Sequence, residues 1–296
     1  ATAVRALEMA VPGGELVTLD RDRDGDLFHG AVVALGALGV VTRLTLDVVP
    51  TFEIRQYVYD DLNYEQLLDA FDDVVSAAYS VSIFTDWRDP VRAQVWLKRR
   101  DNGPGRAGEP PQHWLGASLT TAPRHPVPGM SPVNCTAQLG EPGPWHERLP
   151  HFRLGFTPSS GAELQSEYLV ARGSAVAALH AVAELREQVA PLLQISEIRT
   201  VAADELWLSP AYRRDSVALH FTWVADEAAV APVVSAVEHA LGPFDARPHW
   251  GKVFTTPPHM VSRLYERSAD FTALTQRFDP DGVLQNELLA ACFSRR

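Results

Sequence analysis

Three short stretches put groups capable of hydrogen-bond and proton chemistry where a β-strand pattern expects apolar side chains. "ISEIRTVA" carries Glu197 and Arg199, "SVALHFTW" carries His220 and Thr222, and "HWGKVF" carries Lys252. A carboxylate accepts hydrogen bonds from hydroxyls, a guanidinium donates to them, and a threonine hydroxyl does both. An ammonium stabilises developing negative charge, and an imidazole accepts or relays a proton. Side by side, these groups would grip a polyhydroxylated or anionic small molecule. Each also has a plainer reading. Glu197 with Arg199 reads as a surface ion pair worth at most ~1 kcal/mol, His220 as a core or surface histidine, and Lys252 as a snorkelling lysine at a strand end.

Residues two apart on a strand share a face. Glu197 and Arg199 therefore share one with Ile195 and Val201. Val217, Leu219, Phe221 and Trp223 make an apolar face, which leaves Ala218, His220 and Thr222 on the other. Lys252 is expected on a strand face between Trp250 and Phe254, with Gly251 beside it to admit a ligand or a second backbone. The tripeptide EIR recurs at Glu53 and Arg55, without matching neighbours, and there predicts a solvated pair on a sheet edge.

The remaining pattern supplies the elements. Residues 4–20 read as a hairpin turning at Gly13 and Gly14, and a glycine-punctuated segment leads to a strand ending at Pro50. A strand, a helix over 63–78 and two more strands reach Arg100. Residues 101–150 are dense in Pro and Gly, so little regular structure is expected in this insertion, which reads equally as a lid or as a surface excursion. A strand then precedes a helix over 174–189 capped by Ser174, two strands, a helix over 226–241 ending at Gly242, and a last strand over "RPHWGKVF". That order, β-α-β-β-α-β, is the ferredoxin-like arrangement, and 51–99 resembles part of a second copy. The fold class predicted is α+β: an antiparallel sheet flanked by helices.

Composition narrows the function. A net charge of −11 offers no basic stripe for phosphates, which excludes a nucleic-acid partner. Cys135 and Cys292 have neither disulfide-framework nor metal spacing, so no metal is expected and a reducing cytoplasm is the expected location. The longest apolar run stops at Arg43, too short for a membrane span. P-loop, GxGxxG, GxSxG and HExxH motifs are missing.

The segments "GAVVALGALGVVTRLTLDVVP", "GPWHERLPHF", "FTPSSGAELQSEYL", "EIRTVAADELWLSPAYRRD", "HFTW" and "RPHWGKVF" resemble the alditol (xylitol) oxidases, vanillyl-alcohol-oxidase-type flavoproteins close to the sugar-1,4-lactone oxidases. "HWGK" is shared with the lactone oxidases, whereas "EIRTVAAD" and "HFTW" point to the polyol branch. The resemblance implies FAD as cofactor, and oxidation of a polyol's primary alcohol to an aldehyde with oxygen reduced to hydrogen peroxide. It implies Glu197, Arg199 and Thr222 as substrate contacts and Lys252, His220 and Arg199 as catalytic groups. It also implies His249, Lys252 and the backbone of Val40 and Val41 as flavin contacts. Residues 1–50 would end an FAD-binding domain, and 51–296 would form a monomeric protein's substrate-binding cap, its C-terminal segment returning toward the flavin. In the family's C-terminal signature, "DPDGVLQN" carries Leu284 for the usual Phe and keeps Asn286. The family's glycine-rich pyrophosphate loops and flavin-linking histidine have no counterpart here, so the expectation is a truncated chain that binds FAD poorly and is inactive alone. A sugar-1,4-lactone oxidase and a non-catalytic carbohydrate-binding module are the alternative readings.

Overall fold

In a computed structural model, residues 1–88, 91–101, 109–155 and 163–293 are described. The chain forms two units: Ala1–Val49, Ala202–Asp215 and Thr256–Arg296 make the first, and Pro50–Val201 and Ser216–Thr255 the second. One division of the chain, at residue 50, is expected from the sequence. The structure has a boundary there too, but it also returns 202–215 and 256–296 to the first unit.

In the first unit β1 (Val4–Ala10) pairs antiparallel with β2 (Leu16–Asp20) and β3 (Val40–Leu46), in the order β2-β1-β3. Gly13 and Gly14 turn the hairpin at φ 97° and 87°, where a side chain would be strained. The helix Asp26–Val32 packs through Gly30, where an added Cβ would lie 2.7 Å from the Trp207 ring, so only glycine permits this approach. Asp26 accepts from Trp207 Nε1 at 3.1 Å and pairs with Arg267 at 2.7 Å, whose guanidinium lies 4.1 Å from the Trp207 ring centre. Asn286 caps the helix Glu287–Cys292 by accepting from Leu289 N at 2.9 Å.

The second unit is built on one sheet. Its strands are β4 (Glu53–Asn63), β5 (Ser80–Thr85), β6 (Arg92–Arg100), β7 (His113–Trp114), β8 (Ala117–Leu119), β9 (Gly143–Pro144), β10 (Glu163–Ala171), β11 (Leu193–Val201), β12 (Ser216–Val224) and β13 (Arg247–Pro248). Among the described residues their order is β13-β10-β12-β11-β5-β6-β4-β8-β7, with β9 also on β4. The run β13-β10-β12-β11 is the 4-1-3-2 order of a ferredoxin-like unit, and β5-β6-β4 repeats the 2-3-1 part. The two repeats join through their second strands, β11 and β5, where Glu197 lies opposite Phe84.

Strand alternation decides which face the helices cover. Val217, Leu219, Phe221 and Trp223 of β12, Ile198 of β11 and Tyr168 and Val170 of β10 form one core with Leu179, Val182, Val234 and Val237 from the helices Ala175–Ala183 and Glu227–Leu241. Residues alternating with these, such as Gln165 and Glu167 of β10, Glu197 and Arg199 of β11, and His220 and Thr222 of β12, share the face away from the helices, and that face carries the polar groups of the site.

Several local expectations change. The helix predicted over 63–78 breaks at Ala70 into Tyr64–Asp69 and Phe71–Val75, both burying their apolar side chains in the core. The second helix divides likewise into Ala175–Ala183 and Arg186–Val189, and Ser174 makes no side-chain capping bond. Asp226 caps the third by accepting from Ala229 N. The insertion is folded: β7, β8 and β9 extend the sheet, and Cys135, Thr136 and Gln138 are buried. Residues 102–108 of it, like 156–162 of a quoted segment, lie outside the described residues.

The first EIR copy is a correction. Strand β4 is no edge, since β6 flanks it on one side and β8 and β9 on the other. Arg55 bonds Asp101 at 2.6 Å and the Gly140 carbonyl at 2.7 Å, tying β4 to the insertion.

Candidate active site

Register assembles the site. Glu167 of β10 lies directly opposite His220 of β12, which lies opposite Glu197 of β11, so acid, imidazole and acid form one row across three strands. In the next row Thr222 stands opposite Gln165. On the other side Arg199 lies opposite Ala218, whose small side chain leaves the guanidinium free to lean over β12. It thus reaches Glu167 Oε1 at 2.7 Å while keeping Glu197 Oε2 at 3.5 Å.

Lys252 does not sit on a regular strand as expected. The β13 ladder ends at Pro248, and backbone pairing with β10 continues only through His249 N to Glu167 O and Val253 N to Gln165 O. Four residue steps therefore span two on the partner strand, and the excess bulges outward as Trp250, Gly251 and Lys252. The bulge is pinned by His249 Nδ1, which accepts from Gly251 N at 3.1 Å, and by Thr255, whose N–H and hydroxyl both donate to Glu238. It turns the Lys252 ammonium back to Glu167 Oε2 at 2.5 Å and His220 Nδ1 at 2.6 Å. His220 Nε2 lies 3.2 Å from the Thr222 hydroxyl. With Nδ1 facing an ammonium, the network assigns the proton to Nε2, so His220 donates to Thr222.

Glu167 is the hub the sequence reading missed. Burial alone would raise its pKa, but the Arg199 guanidinium and the Lys252 ammonium hold it far below the usual carboxylate range. A signal existed in "AELQSEYL", where Glu163, Gln165 and Glu167 share a face. His151 and Lys98 are also new. His151 Nε2 lies 3.1 Å from Glu197 Oε1, and its ring packs edge-on against Phe84 and Trp96. Despite its burial, Glu197 is held down to about 2 by His151, Arg199 and Ser82. No periodicity could have indicated His151, because it directly follows the Pro/Gly-rich insertion, at the end of "GPWHERLPHF".

Over this face lies a cavity of about 150 Å³. Glu197, His220, Thr222 and Gln165 line its polar side, while Phe84, Ile195, Phe152 and Val127 line its apolar side, the last from the insertion. That volume is below the roughly 300–1,000 Å³ typical of drug-sized ligands and suits a small one. His249 lies on the bulge, and burial lowers its pKa. Of the predicted residues, Glu197, Arg199, His220, Thr222, Lys252 and His249 come together. Val40 and Val41 belong to the first unit, on β3, where both are exposed.

A Streptomyces alditol oxidase (strain IKD472 / FERM P-14339) is 54% identical over 290 residues, covering 98% of this chain and 67% of the relative. The chain belongs to the alditol oxidase family. It spans about two thirds of the relatives' length, as it does for the L-gulono-1,4-lactone dehydrogenase of Mycobacterium tuberculosis (26% identity, 95% of this chain, 66% of the relative). The D-arabinono-1,4-lactone oxidase family model matches residues 162–292. Alditol oxidase family membership accords with the fold, which resembles a cholesterol oxidase from B. sterolicum (TM-score 0.72, 14% identity, 98% of this chain and 69% of that one). It also resembles a xylooligosaccharide oxidase from Myceliophthora thermophila C1 (TM-score 0.68, 11% identity, 97% and 66%). Among the described residues no group of His, Cys, Asp and Glu could hold a metal, and no helix is long and apolar enough to cross a membrane.

Proposed function

We propose that this chain carries the substrate-binding side of an FAD-dependent oxidase that converts the terminal primary alcohol of a short polyol to an aldehyde, with oxygen reduced to hydrogen peroxide. The observation that carries the reading is the Glu167–His220–Glu197 row, flanked by Arg199, Thr222 and Lys252 beside a small cavity, in a chain 54% identical to an alditol oxidase. FAD, when bound, supplies the hydride acceptor and passes the electrons to oxygen. The donor set fits that cofactor: Lys252 is a cation held at a bulge, with the His249 imidazole beside it, and such groups stabilise the anionic edge of a reduced flavin.

The chain's own residues supply orientation and proton control. Glu197 accepts from polyol hydroxyls, Arg199 and Thr222 donate to them, and each is held by a partner that limits its freedom. Lys252 acidifies the reacting hydroxyl electrostatically, and His220 orients both Lys252 and Thr222. Residues 1–49 are read as the end of a flavin-binding fold with the Val40 and Val41 backbone as cofactor contacts, and the exposure of both residues supports this. Lactone oxidation is the second reading, favoured by the family model over 162–292.

One experiment separates the two. Peroxide formation is measured with the polypeptide as its host produces it, supplied with FAD, on xylitol, sorbitol and an aldono-1,4-lactone. The expected outcome is turnover with the polyols in preference to the lactone. Turnover confined to the lactone would replace this reading with the second, and none with any of the three would sink both.

A further inference from the structure

Among the described residues around the site, Lys98 is the buried cation with no part in the chemistry proposed so far. It stands on β6, on the face opposite Leu97 and Val95, is 1% exposed, and lies opposite Gln56 and Ser80 in the ladders. Its ammonium donates to the Leu149 carbonyl and lies 3.2 Å from His151 Nδ1. The far nitrogen of that ring, Nε2, is 3.1 Å from Glu197 Oε1 and 3.4 Å from the Ser82 hydroxyl. Lys98 has donors and, while charged, no lone pair. His151 Nδ1 must therefore accept, and its proton resides on Nε2, aimed at Glu197. The direction of the chain follows from chemistry: Lys98 N–H to His151 Nδ1, then His151 Nε2–H to Glu197 Oε1. This repeats, on the insertion's side of Glu197, the Lys252–His220–Thr222 arrangement on the other.

We propose that Lys98 and His151 are positioning residues for Glu197: Lys98 keeps His151 as the neutral Nε2–H donor, and His151 occupies one carboxylate oxygen so that the other serves Arg199 and a ligand hydroxyl. The role in ligand binding rests on the polyol reading. Burial pulls the His151 pKa down, and the nearby Lys98 charge adds to the effect against the pull of Glu197. Without Lys98, His151 would take a second proton and form an ion pair with Glu197, competing with the ligand. The other titratable groups facing Glu197 are Arg199 on its own strand, His220 on β12, Glu167 on β10, Lys252 on the bulge, and Glu163 and His125 on the cavity wall.

The test is the ¹⁵N spectrum of the His151 imidazole between pH 5 and 8 in the wild type and in Lys98→Met, with His151→Gln giving the assignment. The wild type is expected to show the neutral Nε2–H form below pH 7, where Lys98 is charged, and in Lys98→Met the His151 pKa is expected to rise by about one unit or more, as removal of a neighbouring like charge does. The KM for xylitol is expected to rise about fivefold in Lys98→Met below the new His151 pKa, with kcat unchanged, the size of one lost hydrogen bond. Lys98→Gln keeps a donor without the charge and is expected to keep the Nε2–H form, which provides a test if Lys98→Met does not fold. A wild-type Nδ1–H tautomer, or an unmoved titration in Lys98→Met and Lys98→Gln, would overturn the positioning role whatever the polyols do. A protein that answers no polyol while His151 titrates as stated would overturn the functional reading and, with it, the ligand-binding part of this proposal.

Discussion

At the scale of single residues, the site is a set of charges that are tolerable only because each is met. Glu167 is 4% exposed and touched by Arg199, Lys252 and His220. Removing one partner of such a buried set typically costs about 3–5 kcal/mol, because the remaining charges stay desolvated. Glu167→Gln keeps the shape, and is expected to lower stability by a cost of that order and to raise the KM, read by urea denaturation and steady-state kinetics. Lys98 makes the complementary point. Burial lowers its pKa from 10.5 to about 7, against the attraction of Glu197. Between those values the unfolded chain binds more protons, so stability rises with pH across that window. The expected result is that the wild type gains on Lys98→Met in urea midpoint from pH 7 to pH 10. Parallel midpoints would refute it.

At the scale of elements, the ladder register brings Glu167, His220 and Glu197 into one row, and the bulge after Pro248 adds Lys252. Ala218 is the spacer that lets Arg199 cross β12. Ala218→Val adds branched bulk in that path, and overpacking of this kind costs about 1–3 kcal/mol. It is expected to part Arg199 from Glu167 and weaken polyol affinity about tenfold, a change of ~1.4 kcal/mol, with the circular dichroism spectrum kept. An unchanged KM would mean that Arg199 does not depend on this path. The split helices show the same priority of packing over local pattern, since both halves of each bury apolar side chains in one core.

At the scale of the whole molecule, acid is the condition that challenges the second unit. Both Glu167 and Glu197 have pKa values depressed from 4.5, so their stabilisation is complete above pH 4.5 and is lost as pH falls toward their folded values. The urea midpoint is expected to fall between pH 5 and pH 3, and to fall less steeply in a Glu167→Gln, Glu197→Gln double variant. Equal slopes would show that other carboxylates govern the acid limb. The insertion and the residues that directly follow it belong to this scale too, since they bring Val127 and Phe152 to the cavity wall and His151 to Glu197.

Much of this is legible in the amino-acid sequence by itself. Strand period two places Glu197 with Arg199, and His220 with Thr222, on polar faces, and the β-α-β-β-α-β order implies the 4-1-3-2 sheet, because such periodicities are local properties of the backbone. The two EIR copies show where local information ends. Arg55 finds Asp101 and Gly140, whereas Arg199 finds Glu167 across a strand. Identical tripeptides meet different partners because register and crossovers, not spacing, decide who lies opposite whom. Tertiary structure alone decides that Glu167 is the hub, that Lys252 rides a bulge, and that Lys98 and His151 reach Glu197. Those contacts join residues far apart in sequence, and no periodic signal encodes them.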